Sequence, residues 1–160
     1  MIDIIKHMPN IKIRIIKNGE TIDTNSNVIS LKKRIIIFGV PGAFTSTCSQ
    51  KHFPSYIKFS KKLFEKGIDE IYCLAVNDAS VLNEWHKSFL PESKNVFMIC
   101  DGNAELTKSL SLEKDYSNSF MGLRSKRFSL LIDNNKIIME NIEEQGKYEV
   151  SSAEFFLEKI

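Results

Sequence analysis

RIIIFGVPGAFTSTCSQKH, residues 34–52, decides the fold. Its first part, Arg34 to Val40, is an unbroken apolar run of the kind a strand buried on both faces requires. Pro41 and Gly42 stop the strand. A helical pattern then runs from about Thr47 to Lys66, with Phe53, Tyr56, Ile57, Phe59, Leu63 and Phe64 on its apolar side. Gly67 ends it. Pro54 lies inside this stretch and predicts a kink or break near His52. A buried strand, a tight turn and an amphipathic helix together form one repeat of a sheet with helices packed on it.

The neighbouring segments extend that unit in both directions. Upstream, Ile11 to Ile15 alternates strictly and reads as a half-buried strand. Asn18-Gly19 then turns it into a second strand, Glu20 to Thr24. Thr24 to Asn27 reads as a polar loop. Downstream, Ile71 to Val76 is another buried strand. Asp78 caps a helix over Ala79 to Phe89 that Pro91 stops. Val96 to Cys100 is a strand, Asp101-Gly102 a turn, and Ala104 to Leu110 a helix. Arg127 to Asp133 and Lys136 to Ile142 are strands joined through Asn134-Asn135. Ser151 to Glu154 reads as a capping box before a last helix ending at Ile160. The expected architecture is α/β: a mixed central sheet flanked by helices, extended by an N-terminal β-hairpin. With 160 residues and no linker or repeat, residues 1–160 read as a single domain.

Composition narrows the function classes. Lys+Arg is 22 against Asp+Glu 20, a net charge of +2, which is too even for a nucleic-acid or anionic-membrane binder. The apolar stretch around Val40 is interrupted by Gly39, Pro41 and Gly42 and is too short to span a bilayer. The N-terminal residues MIDIIKHMPN lack the features of a secretory signal or transit peptide. Cys48, Cys73 and Cys100 are an odd number with no CxxC pair, so neither a disulfide scaffold nor a zinc ribbon is expected. This is the thiol usage of an intracellular protein, in the cytoplasm or, if a presequence has been trimmed, in a plastid or mitochondrion.

Cys48 is the residue with chemical promise. It falls in the first turn of the predicted helix, where unpaired backbone N–H groups and the helix dipole favour a thiolate over a thiol. The bland alternative is a small buried residue. His52, four residues later, makes a cysteine–histidine pair conceivable. A hydrolase or metal site would need an orienting Asn/Asp or further ligands, and none is evident. His7 and His86 read as surface residues, and Trp85 with Phe89 as core.

The string around Cys48 contains Pro-x-x-x-Thr-x-x-Cys, formed by Pro41, Thr45 and Cys48. It resembles the active-site motif of the peroxiredoxins, and with Ser49 and His52 it is similar to the type II subfamily. Gly67 to Trp85 and Gly122 to Asp133 resemble further segments of that subfamily in the same order. The resemblance implies a thioredoxin fold and a thiol-dependent peroxidase acting on hydrogen peroxide and alkyl hydroperoxides without metal or other cofactor. It implies Cys48 as the attacking thiolate, which becomes a sulfenic acid, and Thr45 as a donor to peroxide and thiolate. Pro41 would shield the pocket and Arg124 would hold the thiolate and polarise the peroxide. Gly42 and His52 would complete the pocket; Phe44 and Phe120, in loops flanking these residues, read as pocket lining, as a homodimer contact or as plain core. Cleaving an O–O bond needs an anionic nucleophile and donors aimed at the developing charge, so the residue types suit the role.

Recycling leaves two routes. In a one-cysteine route, glutathione attacks the sulfenic acid and glutaredoxin clears the mixed disulfide. In a two-cysteine route, Cys73 acts as resolving thiol and thioredoxin as reductant. Cys73 reads as part of an interior strand, where a thiol is ordinarily inert. Two other readings use the same cysteine: a disulfide reductase, disfavoured because no second cysteine stands three residues away, and a non-enzymatic redox-sensing module.

Overall fold

A computed structural model describes residues 6–160; the first five residues of the N-terminal segment read above lie outside it. Strand β1 (Lys6–His7) precedes a hairpin of β2 (Lys12–Lys17) and β3 (Glu20–Asn25). Its turn residues Asn18 and Gly19 have φ of 52° and 78°. Two consecutive positive values are the geometry an Asn-Gly turn supplies most easily between right-twisted strands. The expected loop after β3 instead winds into a short helix α1 (Ser26–Ile29), which buries Ile29. Strand β4 (Arg34–Val40) follows, then a π-helical turn (Cys48–His52) that runs directly into α2 (Phe53–Glu65).

The π turn is the form taken by the kink expected near His52. Proline has no N–H, and its ring crowds the carbonyl four residues back, here Gln50, so regular α bonding cannot pass through this point. The Cys48 carbonyl accepts from Phe53 N, five residues on. After α2 come β5 (Glu70–Ala75), α3 (Ala79–Lys87), β6 (Val96–Cys100) and α4 (Glu105–Ser109). The Asp78 side chain caps α3 by accepting from Val81 N at 2.9 Å. The chain closes with β7 (Glu113–Asp115), β8 (Leu123–Ser125), β9 (Phe128–Asp133), β10 (Lys136–Ile142) and α5 (Ala153–Lys159).

Eight strands form one sheet in the order β1-β10-β9-β4-β5-β6-β2-β3, while β7 and β8 pair separately. β4, β5 and β6 are parallel; β9 and β2 flank them antiparallel. Alternation along the central strands divides the core in two. Ile36, Phe38, Val40, Ile71, Cys73 and Ala75 face α2, α3 and α5. Ile35, Ile37, Tyr72 and Leu74 face α1 and α4. Each fully buried side chain of this size contributes about 1.5–3 kcal/mol. On the α2 face, Phe38 stacks on Tyr56 with ring centroids 4.0 Å apart and planes 7° from parallel.

Two positions tie the sheet to the site. Gly39 lies opposite Phe128 in the β4–β9 register. A Cβ at Gly39 would sit 2.0 Å from the Phe128 ring, so glycine is required for β9 to enter at this height. The cap of α5 is shifted by one residue from the expected box. Ser152, not Ser151, accepts from Phe155 N, and the Ser151 hydroxyl turns instead to Glu143.

Candidate active site

Cys48 opens the π turn and is fully buried. Its Sγ accepts a hydrogen bond from Arg127 Nη2 at 3.1 Å. The second terminal nitrogen of the same guanidinium, Nη1, lies 2.9 Å from His52 Nδ1. His52 Nε2 lies 2.9 Å from the Ser151 carbonyl. A carbonyl only accepts, so Nε2 carries the proton and Nδ1 offers its lone pair to Arg127. Burial, with the Arg127 charge beside it, pushes the His52 pKa down to about 3, so the ring is neutral at ordinary pH.

The Ser151 carbonyl also accepts from Tyr56 Oη at 2.7 Å. The loop that carries Ser151 is pinned by Glu143. Its Oε2 accepts from the backbone N–H of Glu149, Val150 and Ser151 at 2.8, 2.9 and 3.0 Å, and from the Ser151 hydroxyl at 2.6 Å. A continuous chain of contacts thus runs from Glu143 through Ser151, His52 and Arg127 to the sulfur. His52 is therefore a positioning residue for Arg127 rather than a partner of the thiol. Tyr148 packs edge-on against it with centroids 5.3 Å apart.

The arginine on the sulfur is Arg127, which corrects the expectation placed on Arg124. Arg124 donates through Nε to the Met121 carbonyl at 2.9 Å and through Nη1 to the Pro41 carbonyl at 3.4 Å. It braces the turn before the helix, against Gly42, where a Cβ would meet Arg124 Nη1 at 2.8 Å. Arg127 immediately precedes β9 and shares the parity of Leu131, which faces α2; Phe128, Leu130 and Ile132 face the other way. Alternation along one strand start therefore delivers its guanidinium to the Cys48 side.

Thr45 Oγ1 donates to the Gly42 carbonyl at 2.8 Å. This closes the turn that aims Cys48, and Ser49 N donates to Thr45 O at 2.9 Å. Pro41, Thr47 and Arg127 line one end of a cavity of about 770 Å³. Phe44 and Phe120 do not line it. Phe120 is 99 % exposed and Phe44 60 %, and both hold positive φ. His86, read as a surface residue, is half-buried and meets the Ser93 and Val96 carbonyls through Nε2, both at 2.9 Å.

The other two thiols differ sharply. Cys73 is fully buried mid-strand, and burial pushes its pKa well above the usual thiol range; burial raises Cys100 to about 12. Both therefore stay protonated and inert in this conformation. Trp85 Nε1 donates to Ser49 Oγ at 2.9 Å, so the single tryptophan touches the residue next to Cys48.

One thiol at a helix opening, held by a fixed guanidinium, is the layout of a thioredoxin-fold oxidoreductase whose first reacting atom is that sulfur. Position 51, where a dithiol enzyme would carry its partner, is lysine. The Redoxin family matches residues 6–157. Peroxiredoxin-2C of Arabidopsis thaliana is 45% identical over 141 residues, covering 88% of this chain and 85% of its own. Reduced Prx3 of Vibrio vulnificus in complex with hydrogen peroxide superposes with a TM-score of 0.91 at 35% identity, over 99% of both chains. The Plasmodium falciparum antioxidant protein, a 1-Cys peroxiredoxin, gives 0.86 at 30% identity, over 99% of this chain and 100% of its own. Other relatives are named as chloroplastic or mitochondrial. The chain belongs to the peroxiredoxins, with type II members among its relatives, and is a thiol-dependent peroxidase. No helix among the described residues is long and apolar enough to cross a membrane.

Proposed function

We propose that Cys48 is the peroxidatic nucleophile and Arg127 its electrostatic partner, in a one-cysteine cycle that reduces hydrogen peroxide and alkyl hydroperoxides. The observation that carries this reading is the 3.1 Å contact from Arg127 Nη2 to Cys48 Sγ. A guanidinium is permanently charged and presents donors in a fixed fork, so it stabilises a thiolate and also the negative charge that develops on the peroxide oxygens. The thiolate attacks the near peroxide oxygen, the O–O bond breaks, and the distal oxygen leaves as water or alcohol after taking a proton. Cys48 is left as a sulfenic acid. Thr45 supplies a hydroxyl and Pro41 a wall at the same turn.

Recycling by an external thiol, glutathione with glutaredoxin, is supported by the state of the other cysteines. Cys73 sits in the sheet interior between β4 and β6. A disulfide needs Cα atoms within about 7 Å and thiols free to meet. A chain that functions as a homodimer would have Phe44 and Phe120 as its natural contact. The test is Cys48→Ser beside Cys73→Ser in a coupled assay with glutathione and glutaredoxin, then with thioredoxin. Loss of turnover in Cys48→Ser, retention in Cys73→Ser, and a glutathione adduct on Cys48 by mass spectrometry are expected. A Cys48–Cys73 disulfide with loss of turnover in Cys73→Ser would replace this with the two-cysteine, thioredoxin-driven route.

A further inference from the structure

The cavity beside Cys48 is far larger than a hydroperoxide needs. At about 770 Å³ it falls in the range that holds ligands of some twenty non-hydrogen atoms, whereas hydrogen peroxide has two. Its lining includes Pro41, Thr47 and Arg127, whose guanidinium holds the sulfur, together with Lys51, Lys114, Lys126 and the loop Glu143–Glu149. Its lining carries more positive than negative charge, with Lys51, Lys114, Lys126, Arg127 and Lys147 against Glu143, Glu144 and Glu149. Glu143 spends its Oε2 on three backbone N–H groups and a hydroxyl. Glu144 pairs with Lys147 at 3.0 Å. No ion pair among the described residues uses Lys51, Lys114 or Lys126. The Lys114 ammonium lies over the Tyr116 ring, 5.0 Å from its centroid, which helps to hold that charge at the cavity wall. Glu143 and Glu149 remain as the anions opposite Lys51, Lys114, Lys126 and Arg127, so the lining keeps an excess of positive charge.

We infer that this cavity is the docking site of the reducing thiol, and that it selects a small peptide thiol with free carboxylates. The inference rests on the external-thiol reading above. With carboxylates on Lys51, Lys114 and Lys126, the thiol end of such a ligand lies toward Pro41 and Arg127. Cys48 itself has no exposed surface, so the π turn opens toward the cavity for the reaction. The ligand thiolate then attacks the sulfenic sulfur, forming an S–S bond as the S–OH bond breaks. The departing hydroxide takes up the proton lost by the thiol and leaves as water. A second equivalent of thiol attacks the outer sulfur of the mixed disulfide, releasing the ligand disulfide and the Cys48 thiolate.

The experiment uses the full chain, oxidised with one equivalent of hydrogen peroxide and mixed with glutathione or with its diethyl ester. The two carry the same thiol but differ in carboxylate charge. Adduct formation on Cys48 is timed by mass spectrometry after acid quench. Wild type should react at least about fivefold faster with the free acid than with the ester, and added salt should erase the difference. Lys51→Gln/Lys114→Gln should bring the ratio close to one, while Lys159→Gln, remote from the cavity, leaves it unchanged. Equal rates for acid and ester in wild type, or a ratio that survives the double substitution, would overturn the docking site while leaving the one-cysteine cycle standing. No adduct with either thiol, together with reduction by thioredoxin, would overturn the external-thiol reading and this inference with it.

Discussion

Replacing Arg127 by alanine removes a positive charge 3.1 Å from the Cys48 sulfur and a donor 2.9 Å from His52 Nδ1. At an effective dielectric of about 20, a charge pair at that range interacts by about 5 kcal/mol before solvation is counted. Losing a preorganised donor aimed at the reacting centre typically costs about 2.7–4 kcal/mol of transition-state stabilisation. The second-order rate constant for hydrogen peroxide at neutral pH should therefore fall about 100- to 1000-fold. Arg127→Lys keeps the charge but cannot reach sulfur and imidazole at once, so it should recover only part of the loss. Arg124→Ala removes a brace on the Pro41 carbonyl, 3.4 Å from Nη1, and should cost only a few-fold. Stopped-flow fluorescence is the assay, because Trp85 bonds to Ser49, adjacent to the reacting sulfur. A rate in Arg127→Ala within threefold of wild type, or a larger loss in Arg124→Ala, would refute the assignment.

The depressed pKa of His52 makes stability depend on pH. The unfolded imidazole binds a proton near pH 6.5, whereas the folded one does so only near 3. Between those values the unfolded state holds one more proton, so stability falls as pH is lowered through about 6.5. From pH 7.5 to 5.5 the loss from this group is about 1.4 kcal/mol in urea unfolding, and His52→Asn should lack that increment. Glu143→Ala leaves three backbone N–H groups and a hydroxyl without their acceptor, so it should lower stability by about 2–4 kcal/mol and slow sulfenic acid formation. Glu143→Gln, which keeps an oxygen there, should restore most of both by the same urea and stopped-flow measurements. Gly39→Ala places a methyl against the Phe128 ring and should destabilise by about 1–3 kcal/mol, with Phe128→Leu in the same chain relieving it.

Where the local code is strong, the sequence reading and the structure agree closely. Asn18-Gly19 and Asn134-Asn135 both produced the positive-φ hairpins their chemistry favours, and the apolar run at Arg34–Val40 became the central strand β4. The β7–β8 ribbon was missed, since its strands, EKD and LRS, are too short and too polar to show a period. Choosing Arg124 over Arg127 is the instructive error. The two lie three residues apart in one matched segment, and resemblance alone does not separate them. A signal was present: Arg127 begins the strand read over Arg127 to Asp133, two positions in phase before Ser129, with Leu131 inward beyond. Glu143 had no such signal. A glutamate after an alternating strand is ordinarily solvated, and only the returning loop, with its three N–H groups converging, reveals its task. Cys73 reads as an interior thiol, as the structure has it, because its five apolar neighbours in the run Ile71–Val76 already exclude water.

The π turn at Cys48–His52 also acts as a phase shifter. An α-helix rotates by about 100° per residue, and a π turn accommodates one residue more than the α-helical turn it replaces. The orientation of α2 is locked by Tyr56 and Leu63 in the core, so the surplus rotation is absorbed entirely on the Cys48 side. Deleting Gln50 would therefore leave α2 seated and swing Cys48 about a quarter-turn away from Arg127. The reactive sulfur is aimed by counting residues as much as by any side chain that touches it, and a single-residue length change here would disarm the site while leaving α2 seated on Tyr56 and Leu63.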